Sequence, residues 1–561
     1  MLTHGWVTLD EGAIGLSARM TAAGYMPHRD FAYPYTGALA AWNALGVEWF
    51  GPSMMVARWQ MFVAFLAWLP AVWMLTRQVA TPTAAAATVV LAAWWSLLVY
   101  PAAMPTWYLL FCSTWSLVAL AHWARTGGRR WLLGAGALAG GTICVKQTGV
   151  YVLVATGLAV LAIEQARGEQ RRGMTAVVVR VLLGVAALVP ALIVVRRGVL
   201  SGDAWVLALP VLAVLVGLGV RATRTPVAIW RDWGTVLAGA AIPMAGLIGW
   251  YAYHGAATDL WRGAVLGGAQ TAATIDRPLP DALRMLGLAL PVIAVAIAID
   301  RIGAATTRAV VAIAAAIATC VFAMQWVPAY HAVWYAAQLA MAGAVVTTAL
   351  AHARGSRSWL TASAGAFAAL MALNAFPYAA PNYFAYAAPL GVLVVAMLAA
   401  ARPRAPLFAC ALALVFGGWF HRIGGVGTVG EGSVWWDDAH LLAGPYGGLR
   451  VPAADSARYA RLGSLIDAHG GPEAFIAGPE MPELYVLAGT KRLVAQPYLL
   501  TTGRRPGAGE LEVAIDTSRV RAVVLNDSPK FLPALGAEAL AWLRDRYPNA
   551  ERVDGFEFRW R

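Results

Sequence analysis

Apolar segments long enough to cross a lipid bilayer follow one another along most of this sequence. A membrane-spanning helix needs about 20 predominantly apolar residues, and about 14 such segments can be placed between residues 54 and 421. Composition agrees, because 60% of the residues are hydrophobic and 13% are charged, against about 45–50% and about 25% in soluble domains. The sequence therefore predicts a mainly α fold, a polytopic transmembrane helix bundle. The segments are centred near Phe65, Leu91, Thr114, Ala139, Gly157, Ala186, Leu212, Ile242, Leu290, Ala315, Met341, Phe367, Gly391 and Leu412.

Charged residues divide the chain into regions, because they are sparse up to about residue 420 and frequent afterwards. We interpret residues 1–53 as a first outer loop with surface helices, 54–421 as the bundle and 422–561 as a soluble outer domain. In the last region, helical patterns alternate with short strand-like apolar runs, which predicts a small α/β domain. The helical patterns cover 454–469, 482–487 and 535–546, and the strand-like runs cover 474–477, 521–525 and 556–560.

Basic residues alternate between the predicted loops. Every second loop is rich in arginine, with 17 basic residues in all against six in the opposite loops. By the positive-inside rule the arginine-rich loops are cytoplasmic, so residues 1–53 and 422–561 face outward from a plasma (inner) membrane. This topology accounts for most of the net charge of +13, and nucleic acid is therefore not indicated as a partner.

The start of the chain is unusual for such a topology. Residues 1–30 contain neither a signal-peptide pattern nor a spanning segment that would lead them across the membrane. We expect that the gene start is placed late and that a first membrane helix is missing. The alternative is that the first hairpin inserts by itself.

Polar residues are densest in the first outer loop, where a chemical site is expected. Asp10 and Glu11 are adjacent carboxylates followed by Gly12, and the amphipathic stretch 13–23 would set them at the start of a surface helix. The alternative interpretation is a plain helix start with favourable acidic charge. The four cysteines, Cys112, Cys144, Cys320 and Cys410, lie in apolar segments and read as small buried hydrophobes rather than disulfides or metal ligands.

The order of short motifs in this loop resembles a known family. The acidic pair and glycine are followed by GYMPHRDF at residues 24–31, YP at 33–34 and FGPS at 50–53, before an arginine-bearing apolar segment. This order resembles the first outer loop of GT-C glycosyltransferases, in the bacterial branch similar to protein O-mannosyltransferases and lipid A aminoarabinose transferases. Further matches are VKQT at 145–148, NYF at 382–384 and PELY at 482–485. The chain departs from the family in lacking the first membrane helix and a second proline within 33–37.

The resemblance implies a GT-C-like fold and the transfer of a sugar from a polyprenyl-phosphate donor to a lipid, glycan or protein acceptor. It makes Asp10 the general base, with Glu11 and Asp30 orienting the base or the acceptor. A salt bridge of Asp30 with Arg29 or Arg58 is the alternative. No cofactor or metal ligand set is indicated, and a divalent metal requirement is left open.

Lys146 is the leading candidate for binding the donor phosphate. It lies in an otherwise apolar run, 140–154, where a charge is costly unless it faces a cavity or a partner; the alternative is snorkelling from a helix end. Because the two groups must flank one glycosidic phosphate ester, Lys146 and Asp10 should approach within about 10 Å. Gln147 would add a hydrogen bond, and Arg277 is a second phosphate candidate, for which a loop salt bridge is the alternative.

His331 and Tyr383 complete the candidate substrate-binding residues, although at outer helix ends an aromatic-belt role is the stronger interpretation. Two other functions stay open at this point. A transporter or lipid flippase would also be polytopic and could use Lys146 as a buried charge, but no repeated halves are visible. A non-catalytic cell-envelope protein that only binds a glycan is the other.

Overall fold

The fold is seen in a computed structural model of the whole chain. The structure describes residues 2–4, 6–97, 100–168, 173–267, 278–304, 327–356, 358–379, 381–400, 440–442, 447–491, 508–515, 519–529 and 534–561, together with most of 306–318.

Two helices form the part of the chain before the bundle. Helix α1 (Thr8–Ala22) carries the acidic pair in its first turn, and α2 (Ala38–Phe50) ends in an exposed aromatic pair, Trp49 and Phe50. Exposed aromatic residues at a helix end are typical of a membrane interface. The next helix begins at Met54, where the hydroxyl of Ser53 accepts a hydrogen bond from the amide of Met55 (3.2 Å).

The membrane part is a bundle of packed apolar helices. Six described helical segments are long and apolar enough to cross a membrane. They are Met54–Thr76, Gln147–Arg167, Met174–Arg197, Ile229–Tyr253, Ala282–Ile299 and His331–Ala353. The bundle helices are α3 (Met54–Thr76), α4 (Pro82–Trp94), α5 (Pro105–Thr126), α6 (Arg129–Val145), α7 (Val150–Arg167), α8 (Met174–Ala186), α9 (Leu188–Arg197), α10 (Leu209–Val220), α11 (Ile229–Tyr253), α12 (Ala257–Leu260), α13 (Ala282–Asp300), α14 (Val327–Ala353), α15 (Trp359–Ala372) and α16 (Pro381–Ala399).

The predicted apolar segments match these helices in position more closely than in length. Twelve of the predicted centres lie inside bundle helices, Ala315 lies in a partly described stretch, and Leu412 lies outside the described residues. Several of the helices are too short to span a membrane by themselves, such as α4 with 13 residues. The hydropathy of a segment indicates only that its surroundings are apolar. A short helix packed inside the bundle can be as apolar as a helix that spans the membrane, so hydropathy does not separate the two.

Glycines allow α6 and α11 to pack backbone to backbone. A β-carbon at Gly136 would lie 2.0 Å from the carbonyl oxygen of Val236, and one at Gly140 would lie 2.2 Å from that of Ala240. On the facing helix, a β-carbon at Gly239 would lie 2.1 Å from the carbonyl oxygen of Leu133. This spacing of small residues is a common helix interface in membranes.

The C-terminal region is a small α/β unit, as predicted. Its four-stranded sheet has the order β3-β4-β6-β5, in which β3 and β4 are parallel and the other pairs are antiparallel. The predicted strands at 474–477, 521–525 and 556–560 are present, and β5 is an additional one that hydropathy did not mark. The elements are β1 (His440–Leu441), β2 (Arg450–Val451), α17 (Ala453–Ala468), β3 (Phe475–Gly478), α18 (Pro482–Ala488), α19 (Ala508–Ala514), β4 (Ala522–Asn526), α20 (Ala537–Arg546), β5 (Asn549–Val553) and β6 (Phe556–Trp560).

The C-terminal unit and the first loop share one hydrophobic core. Leu16 and Met20 of α1 are buried in the same cluster as Phe475 and Leu484, and the rings of Trp6 and Tyr459 meet edge to face at 4.8 Å. The start of the chain is thereby held between the bundle and the C-terminal unit.

Two of the four cysteines lie among the described residues, Cys144 buried and Cys112 half-buried. Cys112 and Cys144 are free thiols within bundle helices, whereas Cys320 and Cys410 lie outside the described residues.

Candidate active site

The carboxylate of Asp10 lies in the first turn of α1, facing the bundle. The hydroxyl of Tyr100, in the loop between α4 and α5, donates a hydrogen bond to Oδ2 of Asp10. Burial raises the pKa of Asp10, and the negative charge of Glu11 adds to this effect. The Tyr100 hydrogen bond and the positive charge of Lys146 act in the opposite direction. Asp10 is therefore a carboxyl group held between a fixed donor and a cation.

Lys146 lies in the connection between α6 and α7, and its Nζ donates to Oγ1 of Thr106 on α5 (3.1 Å). The next residue on α5, Trp107, donates from Nε1 to the carbonyl oxygen of Tyr100 (3.1 Å). The first turn of α5 therefore contacts two residues of the site. Trp107 holds Tyr100, the hydrogen-bond partner of Asp10, and Thr106 accepts from Lys146, the candidate phosphate ligand. This arrangement, with the electrostatic interaction of Asp10 and Lys146, brings together two residues that are far apart in the sequence.

Aromatic rings surround the Lys146 ammonium group. The ring centres of Tyr383 and Tyr35 lie 5.7 Å and 6.0 Å from Nζ, within the range of a cation–π contact. Tyr383 also packs edge to face on Tyr386 (5.6 Å), which in turn packs on Trp107 (4.5 Å). The predicted residue Tyr383 therefore lies beside Lys146, which the aromatic-belt interpretation did not anticipate.

Glu11 faces away from this cluster. Both of its carboxylate oxygens bind the guanidinium group of Arg58 on α3, and Oε2 also accepts from the amide of Val7 (2.9 Å). Arg58 is fully buried and donates as well to the carbonyl oxygens of Leu2 and His4. The ion pair of Glu11 with Arg58 fixes the start of α1 to the bundle. A role of Glu11 in orienting the base or the acceptor stays a prediction. Of the two arginines considered as salt-bridge partners of Asp30, Arg58 pairs with Glu11.

Asp30 makes the salt bridge that was considered as its alternative role. Its carboxylate pairs with Arg29 (2.8 Å) and accepts from the amide of Met26 (2.7 Å). The hydrogen bond from Arg29 lowers the pKa of Asp30. A substrate-binding role for Asp30 stays a prediction.

Three further residues were predicted to bind substrate: Gln147, His331 and Arg277. Gln147 donates from Nε2 to the carbonyl oxygens of Pro34 (3.0 Å) and Ala264 (2.8 Å), and so links the first loop to a π-helical turn, Trp261–Gly267. His331 stacks on Tyr335 at 5.6 Å on α14. Arg277 lies outside the described residues. Substrate contacts of these three residues stay predictions.

An apolar pocket opens beside the cluster. Tyr383 and Phe384 of α16 form one part of its wall, and α14 and α15 contribute others, including the amide of Gln338. The described wall contains no ionisable side chain other than Tyr383. Because Tyr383 contacts both Lys146 and this cavity, a positive charge and an apolar compartment meet at one residue.

Sequence reasoning did not find Tyr100, Thr106 and Tyr35. Each acts through a contact with a residue distant in the chain, and no spacing pattern announces such a contact. The signal that could have indicated Tyr100 is its position directly before Pro101, in a proline-containing break between two apolar segments. Among the described residues, no group of three or more His, Cys, Asp and Glu side chains could hold a metal ion.

The chain matches no family model and no curated protein in sequence. Solved structures of two proteins are similar to it at low identity. The oligosaccharyltransferase of Archaeoglobus fulgidus in the apo form is 12% identical over 92% of this chain, with a TM-score of 0.41, and the chain spans 66% of its length. ArnT from Cupriavidus metallidurans in the apo state is 12% identical, with 99% of this chain and 93% of ArnT covered and a TM-score of 0.36.

A second structure of ArnT, bound to undecaprenyl phosphate, is 14% identical over 100% of this chain and 94% of ArnT, with a TM-score of 0.36. At these identities and TM-scores we base the function on the geometry of the site.

Proposed function

We propose that this chain is an integral membrane glycosyltransferase that moves a sugar from a polyprenyl-phosphate donor to an acceptor hydroxyl. Asp10 is the general base and Lys146 binds the phosphate. We place the site on the outer face of the plasma membrane, in keeping with the distribution of arginine between the loops.

The observation that carries this proposal is the meeting of Asp10, Lys146 and an apolar cavity around Tyr383. A polyprenyl-phosphate sugar has a long apolar tail, one phosphate and a sugar, in that order. The cavity suits the tail, the ammonium group suits the phosphate, and the carboxylate then lies on the side of the sugar. A soluble nucleotide donor would have no use for the cavity.

The reaction follows from these positions. The acceptor oxygen attacks the anomeric carbon, and the bond between that carbon and the phosphate oxygen breaks. The acceptor proton passes to Asp10, and polyprenyl phosphate leaves with the electron pair of the broken bond. Lys146 stabilises the charge that develops on the departing phosphate, in a site where burial strengthens electrostatic interactions.

Tyr100 prepares Asp10 for proton transfer. Its hydroxyl fixes Oδ2 of Asp10, and we assign Oδ1 as the atom that accepts the proton. A pKa raised by burial makes the carboxylate a stronger base than an exposed aspartate.

The test uses the purified full chain in lipid nanodiscs with radiolabelled polyprenyl-phosphate hexoses and pentoses and an envelope extract as acceptor. We expect label in the extract and release of polyprenyl phosphate for the wild type and for Asp467→Asn, an exposed control on α17. Asp10→Asn should show neither. The proposal fails if the wild type cleaves no donor, and movement of labelled lipid across vesicles without sugar release would favour a flippase.

A further inference from the structure

The C-terminal unit touches the helix of the proposed base at one crowded point. A β-carbon at Gly12 of α1 would lie 2.4 Å from the backbone nitrogen of Glu483, at the start of α18. Arg19, farther along α1, donates to the carbonyl oxygen of Gly489 just after α18. Helix α1 is therefore fixed to α18 at both ends of their contact, and the first of these points is two residues from Asp10.

Glu483 is an acid in surroundings that do not favour its charge. It is 1% exposed, and Oε1 accepts a hydrogen bond from the hydroxyl of Tyr459 on α17 (2.9 Å). Its Oε2 is buried and has no hydrogen-bond partner within the part of the chain that the structure describes. A buried carboxylate with one oxygen unsatisfied is costly, and the neutral acid is less so.

The charged and titratable groups around Glu483 do not offset this cost. Glu480 adds a like charge, and no described salt bridge reaches Glu483. On α1, Arg19 donates to the backbone carbonyl oxygens of Val486 and Gly489, and Glu11 is paired with Arg58. Burial raises the pKa of Glu483 to about 7; its own backbone amide and the hydrogen bond from Tyr459 oppose this effect, and the charge of Glu480 adds to it. The titratable groups that face Glu483 are Tyr459, Tyr485 and Glu480.

We propose that Glu483 is a positioning residue that works as a proton-operated latch: its neutral form holds α1 against α18, and its ionised form loosens that contact. Because Gly12 leaves no space between the two backbones, α1 cannot tilt without parting from Glu483. Loosening this contact therefore moves the helix turn that carries Asp10.

The direction of the effect follows from proton linkage. When the contact opens, Glu483 meets water and regains its ordinary pKa of 4.5, whereas in the closed contact the pKa is about 7. Between pH 4.5 and pH 7 the closed state binds more protons than the open state. The closed state therefore becomes less stable relative to the open state as the pH rises, and this loss levels off above pH 7. The shift corresponds to a change of at most about 300-fold in the opening equilibrium.

Hydrogen exchange of the full chain in nanodiscs tests the latch without reference to activity. After correction for intrinsic rates, exchange at α1 and α18 in the wild type should rise by about tenfold or more between pH 5 and pH 8. Glu483→Gln keeps the neutral shape, so exchange should no longer depend on pH. Glu538→Gln, at an exposed glutamate of α20, should behave like the wild type. If Glu483→Gln retains the pH dependence of the wild type, the latch is refuted.

A second variant keeps the test decisive if the first does not fold. Tyr459→Phe removes a hydrogen bond that favours the ionised form, so the rise in exchange should extend to higher pH than in the wild type. An unchanged profile would contradict the latch.

The consequence for catalysis rests on the proposed function. Between pH 6 and pH 8 the kcat of sugar transfer should fall for the wild type relative to Glu483→Gln, with little change in KM for the donor. If the exchange profiles are as expected but no donor is cleaved, the latch stands and the glycosyltransferase proposal fails.

Discussion

Asp10 and Glu11 are neighbours in the sequence, but their carboxylates have different partners and different capacities. Glu11 is neutralised by a buried arginine, whereas Asp10 has a tyrosine hydroxyl and a more distant ammonium group. A carboxylate with both oxygens bound to a buried guanidinium group is not free to contact an acceptor hydroxyl. Environment therefore separates a structural acid from the proposed base within a single helix turn.

Replacing Asp10 by asparagine tests the base directly. The amide keeps the shape and much of the hydrogen bonding of the carboxylate but cannot accept a proton. We expect sugar transfer to fall by about 100- to 10,000-fold, with donor binding nearly unchanged. Rates from single-turnover assays and donor affinities from fluorescence titration check both parts. Wild-type transfer by Asp10→Asn would return Asp10 to the role of an ordinary helix-start carboxylate.

Lys146→Ala should have a different kinetic signature. The ammonium group meets the phosphate in both the ground state and the transition state, so its loss should raise KM for the donor as well as lower kcat. The same assays at several donor concentrations separate the two constants. A variant with unchanged KM would remove Lys146 from phosphate binding.

Glu11→Ala should affect stability more than chemistry. It leaves the guanidinium group of Arg58 buried without its carboxylate, a loss of about 3–5 kcal/mol in comparable pairs. The thermal unfolding midpoint in detergent should fall clearly. As a control, Glu164→Gln weakens the partly exposed pair with Arg167 and should cost less than about 1 kcal/mol. Equal midpoints for the two variants would contradict the importance of the buried pair.

At the scale of helices, the site depends on how closely α6 approaches α11. Lys146 directly follows the last residue of α6, so any displacement of this helix moves the ammonium group. Gly140 faces the backbone of α11, whereas Gly141 has open space at the β-carbon position. The two neighbouring glycines form a matched pair for substitution.

Gly140→Ala should force the two helices apart and cost about 1–3 kcal/mol, as overpacking does elsewhere. Gly141→Ala should leave stability unchanged or slightly improved, because alanine is the better helix former. Unfolding midpoints measure the difference, and KM for the donor should rise only for Gly140→Ala. Similar behaviour of the two variants would show that this helix contact is not tightly packed.

Element positions were largely predictable because apolar length and charge are local properties. The bundle helices, and the strands at 474–477, 521–525 and 556–560, follow from them. The choice of Lys146 as a candidate followed from the cost of a charge in an apolar run. The contacts of Asp10 with Tyr100 and of Glu11 with Arg58 could not be predicted from the sequence. Both contacts join distant segments, and the side-chain types allow many other pairs. Glu483 was visible only as part of a short motif, with no indication that it lies against α1.

For the whole molecule, the first loop and the C-terminal unit must lie on one side of the membrane, because they share a core. We predict that this side is the outer one. A cysteine at Ser456 should react with a membrane-impermeant maleimide on intact cells, and one at Gly128 should react only after permeabilisation. The reverse pattern would overturn the proposed orientation.

The contact between Gly12 and Glu483 also has a consequence for biosynthesis. The ribosome makes the proposed base before the bundle and the supporting helix α18 after it, so the bundle is inserted before the two can meet. Domains generally fold in the order in which they emerge. A chain cut short before residue 482 would carry Asp10 but lack the surface that holds its helix. Under the proposed function, competence for sugar transfer depends on synthesis of α18, so chains that have not reached it do not consume lipid-linked donor.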